Sequence, residues 1–398
     1  MPGKDSNEAQ MLYACLLSSR GKSVTEIAEA LGHNRTTITR WLRRAADAGW
    51  IDRSPRLSLT PEELLKLSRR AHDEEKEYRL LRLLATGDSP LRRVHIPQIV
   101  PPIAEQARQD PSALADHLRE VTGRAAAIYV NDLINQELPL TRLGISWGRS
   151  LRCMVQQVAA VPRKEIPGLT TLPLIGNLEL LGETRNQFVS SEANTLASDL
   201  TRCYGGADIG PLTAPAFLPK PRGRSDEELA VLRRYFEATP LYAEIFGAED
   251  RPGRIWDTEM VVIGIGAVDT SAWPRLTQHI DEQDLAELRE AGAVGDIGGR
   301  FFTGYGLHDP PGCDCMICRT NSRVLGVNLR TLSALAHGGG PQGAPLPEGS
   351  RDRRVVAVAS GRQKARAIAA ASRMAVTDLI TDEDTAQAML DILDPAHG

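Results

Sequence analysis

No stretch of the sequence approaches ~20 uninterrupted apolar residues, the length a membrane-spanning helix needs, so no membrane contact is expected. No basic segment followed by an apolar run opens the chain, so no export signal is expected. Cysteine is scarce, with six residues in 398, at positions 15, 153, 203, 313, 315 and 318. Without an export signal these do not read as a disulfide framework, and the cytoplasm is the expected compartment. Lysine is scarce as well, with seven residues against forty arginines. What is present is ordinary for a globular protein: 42% apolar and 25% charged residues. The length is too great for one domain.

The net charge of −4 is unevenly spread. Residues 1–60 carry nine Lys/Arg and six Asp/Glu, a net of +3, and the remainder carries −7. A small basic part on a large acidic one suits a polyanionic partner for the former. Ser23 and Glu26 form a capping-box pattern, followed by Val24, Ile27, Ala28 and Leu31 on one helical face. Gly32 and His33 make a turn, and Asn34 caps a second helix with Ile38, Trp41, Leu42 and Ala45 on its apolar side. A preceding helix over 9–19 completes the unit. These are the parts of a helix-turn-helix. The outer face of the second helix offers Asn34, Arg35, Thr36, Thr37 and Arg40 for base or phosphate contact, and Arg43 and Arg44 for phosphates. Trp41 is expected in the core, and His33 in the turn. The expected domains are a helix-turn-helix at 1–58, a linker or oligomerisation region at 59–112, and an effector-binding domain at 113–398. In the linker, Leu64, Leu67, Tyr78 and Leu81 suggest a thin apolar seam, and Pro97, Pro101 and Pro102 interrupt helix.

From residue 140 short apolar strands alternate with helices. Strands are expected at 143–146, 171–175, 260–265, 355–359 and 376–380, and helices at 150–161, 191–204, 363–373 and 383–392. This alternation predicts an α/β fold with a doubly wound, mainly parallel sheet. Ligands in such folds bind beyond the carboxyl ends of the strands. Three strand-end turns there suit an anion: Trp147-Gly148-Arg149-Ser150, Gly264-Ile265-Gly266, and Ser360-Gly361-Arg362-Gln363-Lys364.

Four stretches carry a family resemblance: 145–151 (ISWGRSL), Gly264-Ile265-Gly266, 292–297 (GAVGDI) and 379–383 (LITDE). Together with the Gly361 to Lys364 turn, they make residues 118–390 resemble the SorC/DeoR-type sugar-binding transcriptional regulators. The resemblance implies a fold related to sugar-phosphate isomerases, a sugar or sugar-phosphate effector, and a homodimer or homotetramer bound to a double-stranded DNA operator. By motif it implies that Gly148, Arg149, Ser150 and Lys364 meet a phosphate, with Arg275 a further candidate. It also implies that Gly264 and Gly266 line the pocket and that Asp296 faces a sugar hydroxyl. The chain departs from the pattern at Gly176-Asn177, which lacks a second glycine, and in 308–322 (HDPPGCDCMICRTNS).

That second departure holds Cys313, Cys315 and Cys318, with His308 nearby. Three thiols on a tight loop suit zinc, with His308 as fourth ligand, an iron–sulfur cluster, or a redox pair. Otherwise no cofactor is required. Cys15, Cys153 and Cys203 fall on apolar helix faces and are expected to be buried. Three functions follow. The first is an effector-controlled DNA-binding regulator with no enzymatic role. The second is a metal- or redox-sensing regulator. The third is an isomerase-like enzyme that would need an acid–base pair such as Asp296 and Glu383.

Overall fold

The computed structural model describes residues 4–19, 22–48, 50, 72–97, 110–136, 140–161, 163–178, 189–220, 226–248, 251–269, 279–341 and 353–394. The chain forms two compact units, Met1–Glu74 with Ile96–Leu114, and Glu75–His95 with Ala115–Gly398.

In the smaller unit three helices share one core: α1 (Lys4–Ser19), α2 (Val24–Ala30) and α3 (Arg35–Asp47). Met11, Ala14 and Leu17 from α1 meet Ile27 and Ala28 from α2 and Ile38 and Trp41 from α3. The Ser23–Glu26 capping box starts α2, and the Asn34 side chain caps α3 by accepting from Thr37 N–H at 2.8 Å. Gly32 takes φ +65° between the helices, a conformation that costs glycine little. His33 lies in this turn, bonded to Gln10 at 2.8 Å and edge-on to Trp41.

The larger unit opens with α4 (Glu74–Leu84) and β1 (Arg93–His95), then α5 (Pro111–Gln136). β2 (Arg142–Ile145), α6 (Arg149–Val158), β3 (Thr170–Pro173) and α7 (Ala193–Cys203) follow. Next come α8 (Asp226–Glu237), α9 (Pro240–Phe246) and a small pair, β4 (Gly247–Ala248) with β5 (Arg251–Pro252). β6 (Met260–Ile263) leads into β7 (Gly266–Ala267), α10 (Glu282–Glu290), β8 (Ala293–Ile297) and β9 (Arg300–Thr303). The chain ends with α11 (Met316–Asn321), α12 (Leu329–Ala336), β10 (Arg354–Val358), α13 (Ala365–Ala375), β11 (Asp378–Ile380) and α14 (Glu383–Leu393).

Six strands form a wholly parallel sheet in the order β1-β11-β10-β6-β2-β3. Every residue of β6, β10 and β11 is buried, as strands covered on both faces require. The order in which the chain adds strands reverses at the centre. From β2 the chain crosses to β3 on one side, and from β6 it crosses to β10 on the other. Such a switch point leaves a crevice at the carboxyl ends of β2 and β6. A second, antiparallel sheet, β7-β8-β9, continues directly from β6. Its β8–β9 hairpin turns through Gly298 and Gly299 at φ +56° and +78°, the two positive values a tight two-residue turn of this twist needs.

The connector departs from the expected division. Residues expected to form part of the 59–112 linker instead belong to the large unit, where β1 pairs in parallel with β11. α4 is tied there by Lys76–Glu383 at 2.6 Å and Arg79–Asp394 at 3.4 Å. Its buried residues are Leu80 and Leu84, whereas Tyr78 is exposed. Two leucines four apart, on one helical face, take the place of the expected Tyr78–Leu81 seam. Leu64, Leu67, Pro101 and Pro102 lie outside the described residues. Of the scattered cysteines Cys15 is buried, while Cys153 and Cys203 are only partly so.

Candidate functional site

On the small unit, α3 turns its apolar side to the core through Ile38, Trp41 and Ala45. Helical spacing then leaves Arg35, Thr36, Arg40, Arg43 and Arg44 exposed, with Thr37 half-buried. None of these arginines has an acidic partner among the described residues. Asn34 is exposed, but its carboxamide oxygen is committed to the cap. Thr39 is also exposed and donates its hydroxyl to Arg35 O at 2.9 Å, which fixes it against its own helix. A row of guanidinium groups on one exposed helix face suits phosphate and guanine recognition.

On the large unit, the three anticipated turns stand at the carboxyl ends of β2, β6 and β10. Gly148, at φ +141°, stands at the start of α6, and its amide donates to Ser191 O at 3.0 Å. That N–H is therefore spent within the protein. Arg149 and the buried Ser150 occupy the first turn of α6, where backbone amides lack intrahelical acceptors. Gly264 sits where an added Cβ would lie 3.2 Å from Trp147 O, so the β6 turn runs close against the β2 turn. Gly266 lies in β7, directly opposite the buried Asp296 of β8. Arg275 lies outside the described residues.

Lys364 closes the site from the β10 turn. Its ammonium donates to Ile265 O at 3.1 Å. Burial pushes its pKa down to about 8, against the opposing attraction of Asp296 and reinforced by the repulsion of Arg149 and Arg119. Burial and then Arg119 also lower Arg149. These interactions bring Lys364, Arg149, Arg119 and Asp296 into one electrostatic neighbourhood. The Gly361 amide is held by Thr385 Oγ1 at 2.7 Å and Asp382 Oδ2 at 3.3 Å, so the β10 turn is anchored to the start of α14.

Sequence reasoning missed several members. Arg119 comes from α5, 30 positions before Arg149 and with no motif around it. Three buried hydroxyls, Ser146 Oγ, Ser191 Oγ and Thr381 Oγ1, lack a hydrogen-bond partner among the described residues. Ser146 and Thr381 directly follow β2 and β11, and Ser191 sits against Gly148. Buried polar groups are ordinarily satisfied, so such groups at a crevice are ready to bond a ligand. Ser146 and Thr381 stood inside the quoted motifs, which was the available signal. A separate cleft lies at the opposite end of the strands, at the amino ends of β2, β6 and β10, lined by residues that include Thr141, Arg142, Glu259 and Arg353. There Glu259 is already satisfied by Thr141 and Arg142.

The remaining candidates divide. Glu383 is exposed and paired with Lys76, whereas Asp296 is buried. His308, Cys313, Cys315 and Cys318 come together, with all four ligand atoms within 4.8 Å of one another.

Residues 103–337 and 342–391 match the family described as "Putative sugar-binding domain", and residues 10–58 match the MarR family. The chain is 22% identical over 386 residues to the uncharacterized transcriptional regulator YjhU of Escherichia coli K12, covering 96% of this chain and 95% of that one. The full-length sorbitol operon regulator SorC from Klebsiella pneumoniae shares the fold at a TM-score of 0.54 and 18% identity, over 97% of this chain and 100% of that one. A DeoR family transcriptional regulator from Listeria monocytogenes does so at 0.55 and 20%, over 79% and 98%. The family matches thus define the class, a transcriptional regulator with a helix-turn-helix and a sugar-binding domain. Within it, the chain belongs to the family described as "Putative sugar-binding domain", whose model spans more than half of its length. No described helix is long and apolar enough to cross a membrane.

Proposed function

We infer that the protein is a cytoplasmic regulator whose affinity for a DNA operator is set by a phosphorylated sugar bound at the β2–β6 crevice. The observation that carries this reading is the Lys364 ammonium. It is held at the strand ends among two further cations, and burial has already made its charge costly. A phosphate placed there meets the charges of Lys364, Arg149 and Arg119, the last already paired with Asp116, and charge-assisted bonds of this kind are about twice as strong as neutral ones. Asp296 and the hydroxyls of Ser146, Ser191 and Thr381 supply acceptors and donors for sugar hydroxyls. Gly148, Gly264 and Gly266 let the backbone approach the ligand. α3 enters the major groove, with Arg35, Thr36, Thr37 and Arg40 nearest the bases and Arg43 and Arg44 on phosphates. A homodimer or homotetramer matches operators built of two half-sites.

The test is a thermal-shift and calorimetric comparison of sugar phosphates with the corresponding free sugars on the full chain. A sugar phosphate is expected to raise the melting temperature, and its free sugar to do so far less. Turnover of a bound sugar phosphate to product would instead support the isomerase-like reading. Lys364→Met is expected to weaken the phosphorylated ligand by about 2 kcal/mol, roughly thirty-fold. Equal affinity of wild type and variant would remove Lys364 from the site.

A further inference from the structure

We propose that His308, Cys313, Cys315 and Cys318 form a four-ligand zinc site that braces the strand pair carrying Asp296. Three thiols and one imidazole make a soft shell of three sulfurs and one nitrogen, which suits zinc. Zinc–sulfur bonds near 2.3 Å and zinc–nitrogen bonds near 2.0–2.1 Å, arranged as a tetrahedron, place N···S edges at about 3.6 Å. His308 Nε2 lies 3.7 Å from Cys313 Sγ and 3.3 Å from Cys315 Sγ. All four ligand atoms lie within 4.8 Å of one another. An iron–sulfur cluster spreads its ligands around several metal atoms, and its usual ligand set is four thiolates.

The loop is held in place by the protein. Cys313 is held in a turn by its N–H to Pro310 O at 3.1 Å, with Gly312 at φ +70°. Asp309 is gripped by Arg330, whose Nε donates to its carboxylate at 2.6 Å and whose Nη2 donates to its carbonyl at 2.7 Å. Cys318 lies on α11, and its neighbour Ile317 is fully buried among Val268, Leu285, Leu288 and Phe301. Each ligand is thus carried by a segment that is anchored independently of a metal. All four side chains remain partly exposed, which leaves an entry path for an ion.

The site is connected to the sugar-binding strands. Asn321, one helical turn after Cys318, donates to Phe301 O at 2.9 Å and accepts from Phe301 N–H at 2.7 Å. Phe301 is paired directly opposite Asp296 across β8–β9. Arg300, next to it, donates to the carbonyls of Asn321, Val324 and Val327 at 2.7, 3.1 and 2.8 Å. An ion that joins α11 to the His308–Cys313 loop therefore stiffens the hairpin that presents Asp296. This consequence for Asp296 rests on the effector reading above, whereas the metal site itself does not.

The experiment is metal analysis of the full-length protein by plasma mass spectrometry, with cobalt(II) substitution followed by absorption spectroscopy. About one zinc per chain is expected, falling to near zero in Cys315→Ser and Cys318→Ser. Cobalt on the wild-type chain is expected to give the intense visible bands of a tetrahedral ion and a thiolate charge-transfer band, an answer that holds even if the serine variants fold poorly. Chelation is expected to speed amide exchange in β8 and β9, with sugar phosphate absent throughout. Zinc content unchanged in the variants would overturn the site. So would cobalt bands of an octahedral oxygen-ligated ion, iron with acid-labile sulfide, or a metal-free disulfide between two of these cysteines. Unchanged exchange in a protein that does lose zinc would overturn the brace.

Discussion

Lys364 shows how one side chain links fold to function. Its pKa near 8 means that it carries a charge at neutral pH only against a burial penalty. The ordinary value is higher, so the unfolded chain binds the proton more tightly than the native one. Its contribution to folding stability is therefore unfavourable below about pH 8 and is relieved as the pH rises toward the unfolded value. Ligand binding has the opposite sign. An anion favours the protonated amine, so sugar-phosphate affinity is expected to fall as the pH rises through 8. Above that pH, binding should take up a proton, visible as buffer-dependent heats in calorimetry, and heats independent of buffer ionisation would contradict the assignment. Gly295 illustrates the cost of close approach. A Cβ there would sit 2.5 Å from Gly266 O and 2.6 Å from Ala367 Cβ. Gly295→Ala is expected to destabilise the large unit by about 2 kcal/mol, measured as a lower urea midpoint with unchanged slope.

At the scale of elements, the capping of α2 and α3 was legible because it is local. Ser23, Glu26 and Asn34 sit at fixed offsets from the apolar stripe they precede. In the folded unit, hydrogen bonds from Lys22 and then from Ser23 hold the Glu26 carboxylate down at about 2. Because this value is depressed, the capping contribution is present above the ordinary glutamate range and is lost as the pH falls toward 2. Helicity of the small unit is expected to decline through that window, and Ser23→Ala to lower its stability by about 1 kcal/mol at neutral pH. An acid titration identical in wild type and Glu26→Gln would contradict this. The five anticipated strands of the parallel sheet were also legible, as short runs rich in Val, Ile and Leu. β1, β7 and β9 were not. β1 and β7 are three and two residues long, and each exists only through pairing with a partner distant in sequence or beyond a turn. β8 was recognised as a motif, but its alternation is hidden by Gly295. Arg119 was illegible because α5 presents it by packing, with Gly123 lying against Cys153.

At the scale of the molecule, the charge division matches the roles proposed for the two parts. The basic excess falls within residues 1–60, which include the three helices, and the acidic remainder includes the sheet with its strand-end cations. Binding to DNA through Arg35, Arg40, Arg43 and Arg44 is expected to weaken linearly in log–log form with salt. Each lost phosphate contact should reduce the slope by about 0.9. Arg40→Ala is expected to cost ~1–3 kcal/mol if its contact is a bidentate base contact, and Arg43→Ala to flatten the slope. The central claim joins the two units: phosphate at Lys364 changes what α3 binds. The most direct test is the affinity of the full chain for DNA from its own upstream region, measured at fixed salt with and without a saturating sugar phosphate, for wild type and Lys364→Met. A shift of about 5- to 150-fold in the wild type, absent from the variant while its ligand-free DNA affinity is unchanged, is the predicted result. The same shift in both proteins, or none in the wild type with any sugar phosphate that binds it, would contradict the account.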